Sequence, residues 1–198
     1  FFVFSISLDG VTALDLGAST GGFTDCMLRH GAVKVYAVDV GYNQIDYSLR
    51  TDPRVVVMER THAREINSGM FAEQVNFFTA DLSFISILKV LPAVYNAFDE
   101  IEGVVLIKPQ FEAEPCQHEK GVVKEPEEHI KILKRVMDGI SLTGFLIRGM
   151  TFSPIKGPAG NIEFLAYLSR TAGGQPAEIS SGIEISDVVK EAHGVLDR

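Results

Sequence analysis

The sequence predicts an α/β fold: a doubly wound, mostly parallel sheet with an antiparallel last strand and helices on both faces. Three observations carry this. Short apolar, β-branched runs alternate with amphipathic stretches over the first 140 residues. That β-to-α order calls for parallel strands joined by crossover helices. Beyond residue 140, two apolar runs at 145–152 and 162–168 are joined by a Pro/Gly-rich connection at 153–160, too short for another crossover. The last pair therefore reads as a β-hairpin-like unit added to the parallel sheet.

Taken in order, residues 11–16 form a strand and 24–30 the helix behind it. Strand 33–40 precedes an amphipathic stretch at 44–49, and strand 55–58 follows without a helix of its own. Strand 75–80 leads into a helical pattern at 85–94, and strand 103–107 into a longer one at 127–140. The stretch 171–182 is rich in Gly, Ser and Pro and reads as an exposed tail. Ile185, Val188, Val189 and Ala192 then share one helical face. These runs divide the chain into a domain over 1–170 and a tail with a short helix over 171–198; there are no internal repeats.

At 198 residues, with 46% hydrophobic and 22% charged residues, the composition is that of a globular chain and excludes disorder and fibres. The longest apolar runs, 1–4 and 103–107, fall far short of the roughly 18 residues a membrane span needs. No amphipathic segment is rich in Lys and Arg, so a membrane-active protein is disfavoured. The first residues show no leader pattern and Phe1 is not an initiator Met, so the start reads as a fragment boundary. A net charge of −8 argues against sequence-independent nucleic-acid binding by this domain alone. The densest basic stretch, Lys120, Lys124, Lys131, Lys134 and Arg135, is interleaved with Glu119, Glu125, Glu127 and Glu128 and reads as a solvated face. Cys26 and Cys116 lack the spacing of a disulfide framework or zinc site, which fits a reducing cytoplasm.

The run LDLGASTGGFT at 14–24 ends a strand and opens a helix, as a cofactor loop does. Gly17 and Gly21 allow a tight turn and close backbone approach, and the helix start offers free N–H groups. The spacing is not GxGxxG, so a dinucleotide is the runner-up. Asp39, at the end of the next apolar run, is placed to accept both hydroxyls of a ribose, which points to an adenosine-containing cofactor. Glu59, Arg60 and Thr61, after the third strand, are candidates to line the adenine.

Three ionisable residues stand out. Lys108 ends an apolar strand at the ligand side of the sheet and needs an acidic partner there. Glu163 lies inside an apolar run, where a carboxylate is costly unless paired or functional. Asp81 follows the fourth strand. Each has a plain structural reading, as a cap, a snorkelling lysine or an exposed edge residue. Together they form an acid–lysine–acid cluster able to orient a hydroxyl and accept its proton.

With LDLGASTGGFT, VDVGYNQ (38–44), DPRVVVMERTHAR (52–64), ADLSFIS (80–86), KPQFE (108–112) and SPIKGPAGNIEFLAYL (153–168), the chain resembles the TlyA/hemolysin A-like family of FtsJ-type ribose 2′-O-methyltransferases. The resemblance covers about residues 8–168. It implies a Rossmann-like methyltransferase with a seven-stranded sheet, S-adenosylmethionine as cofactor and ribosomal RNA or a ribosomal subunit as partner. Asp81, Lys108 and Glu163 match the second, third and fourth members of the family's Lys-Asp-Lys-Glu tetrad. The first lysine and the family's N-terminal S4-type RNA-binding domain have no counterpart here, and 113–120 is irregular where the family carries a Gly-rich loop. The implied cofactor set is Asp15, Gly17, Ser19, Thr20, Gly21, Gly22, Phe23, Asp39, Val40, Glu59, Arg60, Thr61 and Asp81. The alternatives are a cofactor-binding module that has lost catalysis and a membrane-active hemolysin.

Overall fold

Seven strands lie in one sheet of order β3-β2-β1-β4-β5-β7-β6 in the computed structural model, which describes residues 2–113, 121–172 and 183–197. The expected tail at 173–182, Cys116, and the irregular residues 114–120 with His118 and Lys120 lie outside the described residues. β1 (Thr12–Leu16), β2 (Lys34–Val38), β3 (Val55–Met58), β4 (Phe77–Ala80) and β5 (Ile101–Ile107) are mutually parallel. β6 (Leu146–Phe152) and β7 (Phe164–Arg170) form the hairpin. β7 inserts antiparallel beside β5 and leaves β6 at the edge, so the last strand in sequence is internal in space.

The parallel strands read as near-continuous apolar runs because both faces are covered. Leu14, Leu16, Phe78, Ala80, Val105, Ile107, Phe164 and Ala166 point to one face, under α3 (Leu91–Ala97), α5 (Pro126–Thr143) and α6 (Ile185–Leu196). Ala13, Val35, Ala37 and Phe77 point to the other, against Met27 and Leu28 of α1 (Gly22–Arg29) and Leu49 of α2 (Tyr47–Arg50). α5 buries His129, Ile132, Leu133, Val136, Met137 and Ile140, a single helical stripe. Pro126 opens it, two glutamates occupy its first turn, and Gly144 ends it in the left-handed conformation at φ 103°. α6 buries Val189 and Ala192 in the same core.

Two helical expectations shorten. Over 44–49, Asp46 caps a single turn, its side chain accepting from Ser48 N–H, so residues 44–46 stay in the loop. Over 85–94, Ser86 caps a 3₁₀ turn at Ile87–Lys89, and α3 starts afresh at Leu91 with Pro92 in its first turn. Proline lacks the N–H an interior position needs and disfavours helix in the residue before it.

The chain winds outward from β1 in one direction to β3 and in the other to β5. The switch point between β1 and β4 opens at the strands' C-terminal ends, where open α/β sheets bind ligands.

Candidate active site

The loop after β1 is held by backbone. Gly17 N–H and Ala18 N–H both donate to the carbonyl of Val38, at 2.9 and 3.1 Å. Gly17 sits at φ 80°, and a Cβ there would overlap the carbonyl oxygen of Asp81. A glycine is therefore required on both counts. Gly21, at φ 103°, turns the chain into α1. Asp39 bridges two loops: one carboxylate oxygen accepts Ser19 N–H at 2.8 Å and the other Gly41 N–H at 2.7 Å.

Two cavities meet at Gly17, Ser19 and Asp81. One, of about 400 Å³, also takes in Asp39, Val40 and Thr61, with Leu82, Ile85 and Val90 supplying apolar wall. The other, of about 410 Å³, takes in Asp15, Thr20, Gly22 and Phe23. Both volumes are of the size that holds a small molecule. A carboxylate beside apolar walls, and a glycine cradle running into a second chamber, fit an elongated adenosine cofactor with a charged tail.

The remaining candidates point elsewhere. Gly21 packs against Leu49 and Ile45. Glu59 accepts Asn43 N–H at 2.6 Å and pairs with Arg50, whose guanidinium holds its carboxyl below the usual range. It borders a small void on the far side of Asp39. Arg60 stacks over the Tyr42 ring, 4.6 Å from its centroid. Gln44, His62, Arg64, Ser83 and Phe84 line the first chamber as well, and their position in strand-end loops is what marks them in the sequence. Cys26 lines the second chamber.

Asp15 is fully buried, accepting Thr24 Oγ1 at 2.7 Å and Thr79 Oγ1 at 2.8 Å. Burial pushes its carboxyl up to about 6, against the lowering effect of both hydroxyls.

The acid–lysine–acid cluster assembles at the adjoining strand ends. Lys108 follows the last residue of β5, and Asp81 the last residue of β4. β7 runs antiparallel, so its first residue, Phe164, pairs with Ile107, and Glu163 and Lys108 flank that last pair of the ladder. Lys108 Nζ lies 2.5 Å from Asp81 Oδ1 and donates to Ser83 Oγ at 3.3 Å. The lysine side chain is 13% exposed, the aspartate 36%. Burial raises the Glu163 carboxyl, the Lys108 charge opposes that, Asp81 adds to it, and the Gln110 side chain lowers it. Phe84, at φ 64° and 91% exposed, lies ring to ring with Phe111, their centroids 5.1 Å apart, at the mouth of this cluster.

The model of the FtsJ-like methyltransferase family matches residues 2–170. The chain belongs to that family. Among its FtsJ-like relatives, the 16S/23S rRNA (cytidine-2′-O)-methyltransferase TlyA of Mycobacterium tuberculosis is 44% identical over 167 residues, 83% of this chain and 62% of that protein. Hemolysin A of Brachyspira hyodysenteriae is 48% identical over 170 residues, 84% of this chain and 71% of that protein. A solved Streptococcus thermophilus structure carrying the hemolysin name superposes with a TM-score of 0.93 at 43% identity, covering 99% of this chain and 71% of that one. Among the described residues no helix of this FtsJ-like chain is long and apolar enough to cross a membrane.

Proposed function

We propose that this chain transfers the methyl group of S-adenosylmethionine to a ribose 2′-hydroxyl of ribosomal RNA. The observation that carries the reading is the Lys108–Asp81 pair, with Glu163 just before the strand that pairs with β5, because Asp81 also lines both chambers. The rRNA methyltransferase name of the TlyA relative supports the substrate class. The RNA partner is ribosomal RNA or a ribosomal subunit, gripped with the help of an N-terminal RNA-binding domain, and the work is cytoplasmic.

Gly17, Ser19 and Gly22 would line the cofactor's methionine end, with Asp15 and Thr20 near its charged groups. Asp39 would take the ribose hydroxyls, and Val40, Thr61 and Val90 the adenine. When bound, S-adenosylmethionine supplies an electrophilic methyl on a sulfonium whose departure leaves a neutral thioether. Lys108, once its own proton has passed to solvent, orients the 2′-hydroxyl and takes its proton while the oxygen–carbon bond forms. Asp81 holds the lysine in place, and Glu163 fixes it from the other side. Alignment is the larger part of the acceleration.

Calorimetric titration with S-adenosylmethionine, with Asp39→Ala and NAD as controls, tests the cofactor. Binding lost in Asp39→Ala and absent for NAD is the expected result. Methyl incorporation into ribosomal RNA by the wild type, lost in Lys108→Ala, then tests the transfer. A folded wild type that binds no S-adenosylmethionine overturns the reading. One that binds without ever transferring leaves a cofactor-binding module.

A further inference from the structure

The segment that follows Lys108 carries another acid, which the transfer site does not use. Glu112 closes the short helix α4 (Pro109–Glu112) and is buried. Its Oε2 accepts Ser86 Oγ at 2.6 Å and its Oε1 accepts Ile87 N–H at 2.7 Å. Ser86 Oγ in turn accepts Leu88 N–H at 3.2 Å. One carboxylate thus satisfies the first free amide of the 3₁₀ turn and fixes the hydroxyl that satisfies the next. Arg135 of α5 donates to the Glu112 carbonyl and anchors the whole arrangement to that helix. Burial raises the Glu112 carboxyl, opposed by the two hydrogen bonds and by the charges of Arg135 and Lys89.

These contacts join the two loops that carry Asp81 and Lys108, and they do so in register. Lys108 meets Asp81 and Ser83, Phe111 meets Phe84, and Glu112 meets Ser86 and Ile87. The lysine end is partly exposed, and the Phe84 ring is exposed on a left-handed backbone that persists only if its surroundings hold it. The Glu112 end is buried and hydrogen-bonded. We propose that Glu112 is a positioning residue: its carboxylate staples the 81–87 loop to the 108–112 segment and so sets the geometry between Lys108 and Asp81.

The proposal deepens the methyl-transfer reading and rests on it for its kinetic test alone. Glu112→Gln keeps an acceptor for Ile87 N–H and offers an amide donor to Ser86 Oγ, whereas Glu112→Ala takes away the acceptor of the buried Ile87 N–H and of the Ser86 hydroxyl. In the full chain, Glu112→Ala should lower kcat per S-adenosylmethionine-binding site by about 10²-fold, the scale of an ångström of misalignment. The KM for RNA and the cofactor Kd should stay within about threefold, and Glu112→Gln should recover kcat to within about tenfold, as expected of a geometric rather than a binding role. Unchanged kcat per binding site in Glu112→Ala overturns the proposal.

A wild type that binds cofactor but transfers nothing defeats the methyl-transfer reading, and two other measurements then decide the staple. Amide exchange over 82–90 and labelling of Lys108 by an amine reagent should both rise in Glu112→Ala and return towards wild type in Glu112→Gln. Exchange rising equally across the sheet, with Lys108 labelling unchanged, overturns it. If Glu112→Ala does not fold, Ser86→Ala removes one contact and carries the same comparison.

Discussion

The two ends of the site are made of different material. The proposed cofactor end is backbone: Gly17 and Ser19 at positive φ, amides tied to the Val38 carbonyl, and one aspartate, Asp39, gripping two further amides. The proposed transfer end is side chains: Asp81 after β4, Lys108 after β5 and Glu163 before β7, brought together by strand order. A backbone-built end depends on which residues can adopt a local conformation. A side-chain end depends on where distant strands lie. Mutations should therefore separate the two, the first failing through binding and stability, the second through rate.

The sharpest separation comes from Lys108→Ala. Losing a positioned proton acceptor should cost about 10²–10⁴-fold in methyl transfer, with cofactor affinity unchanged by calorimetry. A loss under tenfold would break the assignment. Gly17→Ala should do the reverse. A left-handed φ and overlap with the Asp81 carbonyl predict a loss of roughly 2–4 kcal/mol of stability, read as a lowered urea midpoint, together with lost cofactor binding.

Asp15 tests the cofactor end by pH. Its native carboxyl titrates at about 6 rather than 3.8, so the native state holds the proton more tightly than the unfolded chain. Well below pH 3.8 both states are protonated and nothing is lost. As pH rises through 4 to 6 the unfolded chain ionises first and stability falls, by roughly 3 kcal/mol by pH 7. Asp15→Asn should abolish that decline, so its gain over wild type in urea unfolding grows from pH 4 to 7. A wild-type curve flat in this window sinks the argument. The smallest effect belongs to Phe84→Ala. An exposed ring removed from the surface should leave stability within about 0.5 kcal/mol, while raising the KM for RNA if the ring meets substrate. An unchanged KM would confine the substrate face to Lys108 and its acids.

Much of the cofactor end was legible because it is local. A glycine turn between an apolar run and a helix, followed by an acid at the next strand end, is contiguous, and Gly17, Ser19 and Asp39 line the chambers as that pattern implies. Glu59 and Arg60 occupied the right loop but turned to Arg50 and Tyr42, because a strand-end position does not determine a side chain's direction. At the transfer end, Glu163 was conspicuous as an acid in an apolar run, and Lys108 as a cation closing a strand. Gln110, Ser83 and Glu112 were not, since polar residues in loops are ordinary until their partners are known.

By itself, then, the order of residues determined the strands, the parallel winding from β1 to β5 and the glycine cradle, all of which follow from periodicity and allowed backbone conformations within short windows. Only the tertiary structure decided that β7 enters the sheet beside β5. That antiparallel insertion is a long-range choice of hydrogen-bonding partner, and it is what sets Glu163 against Lys108, just as the parallel pairing of β4 with β5 lets the buried Glu112 bind the two loops that follow them.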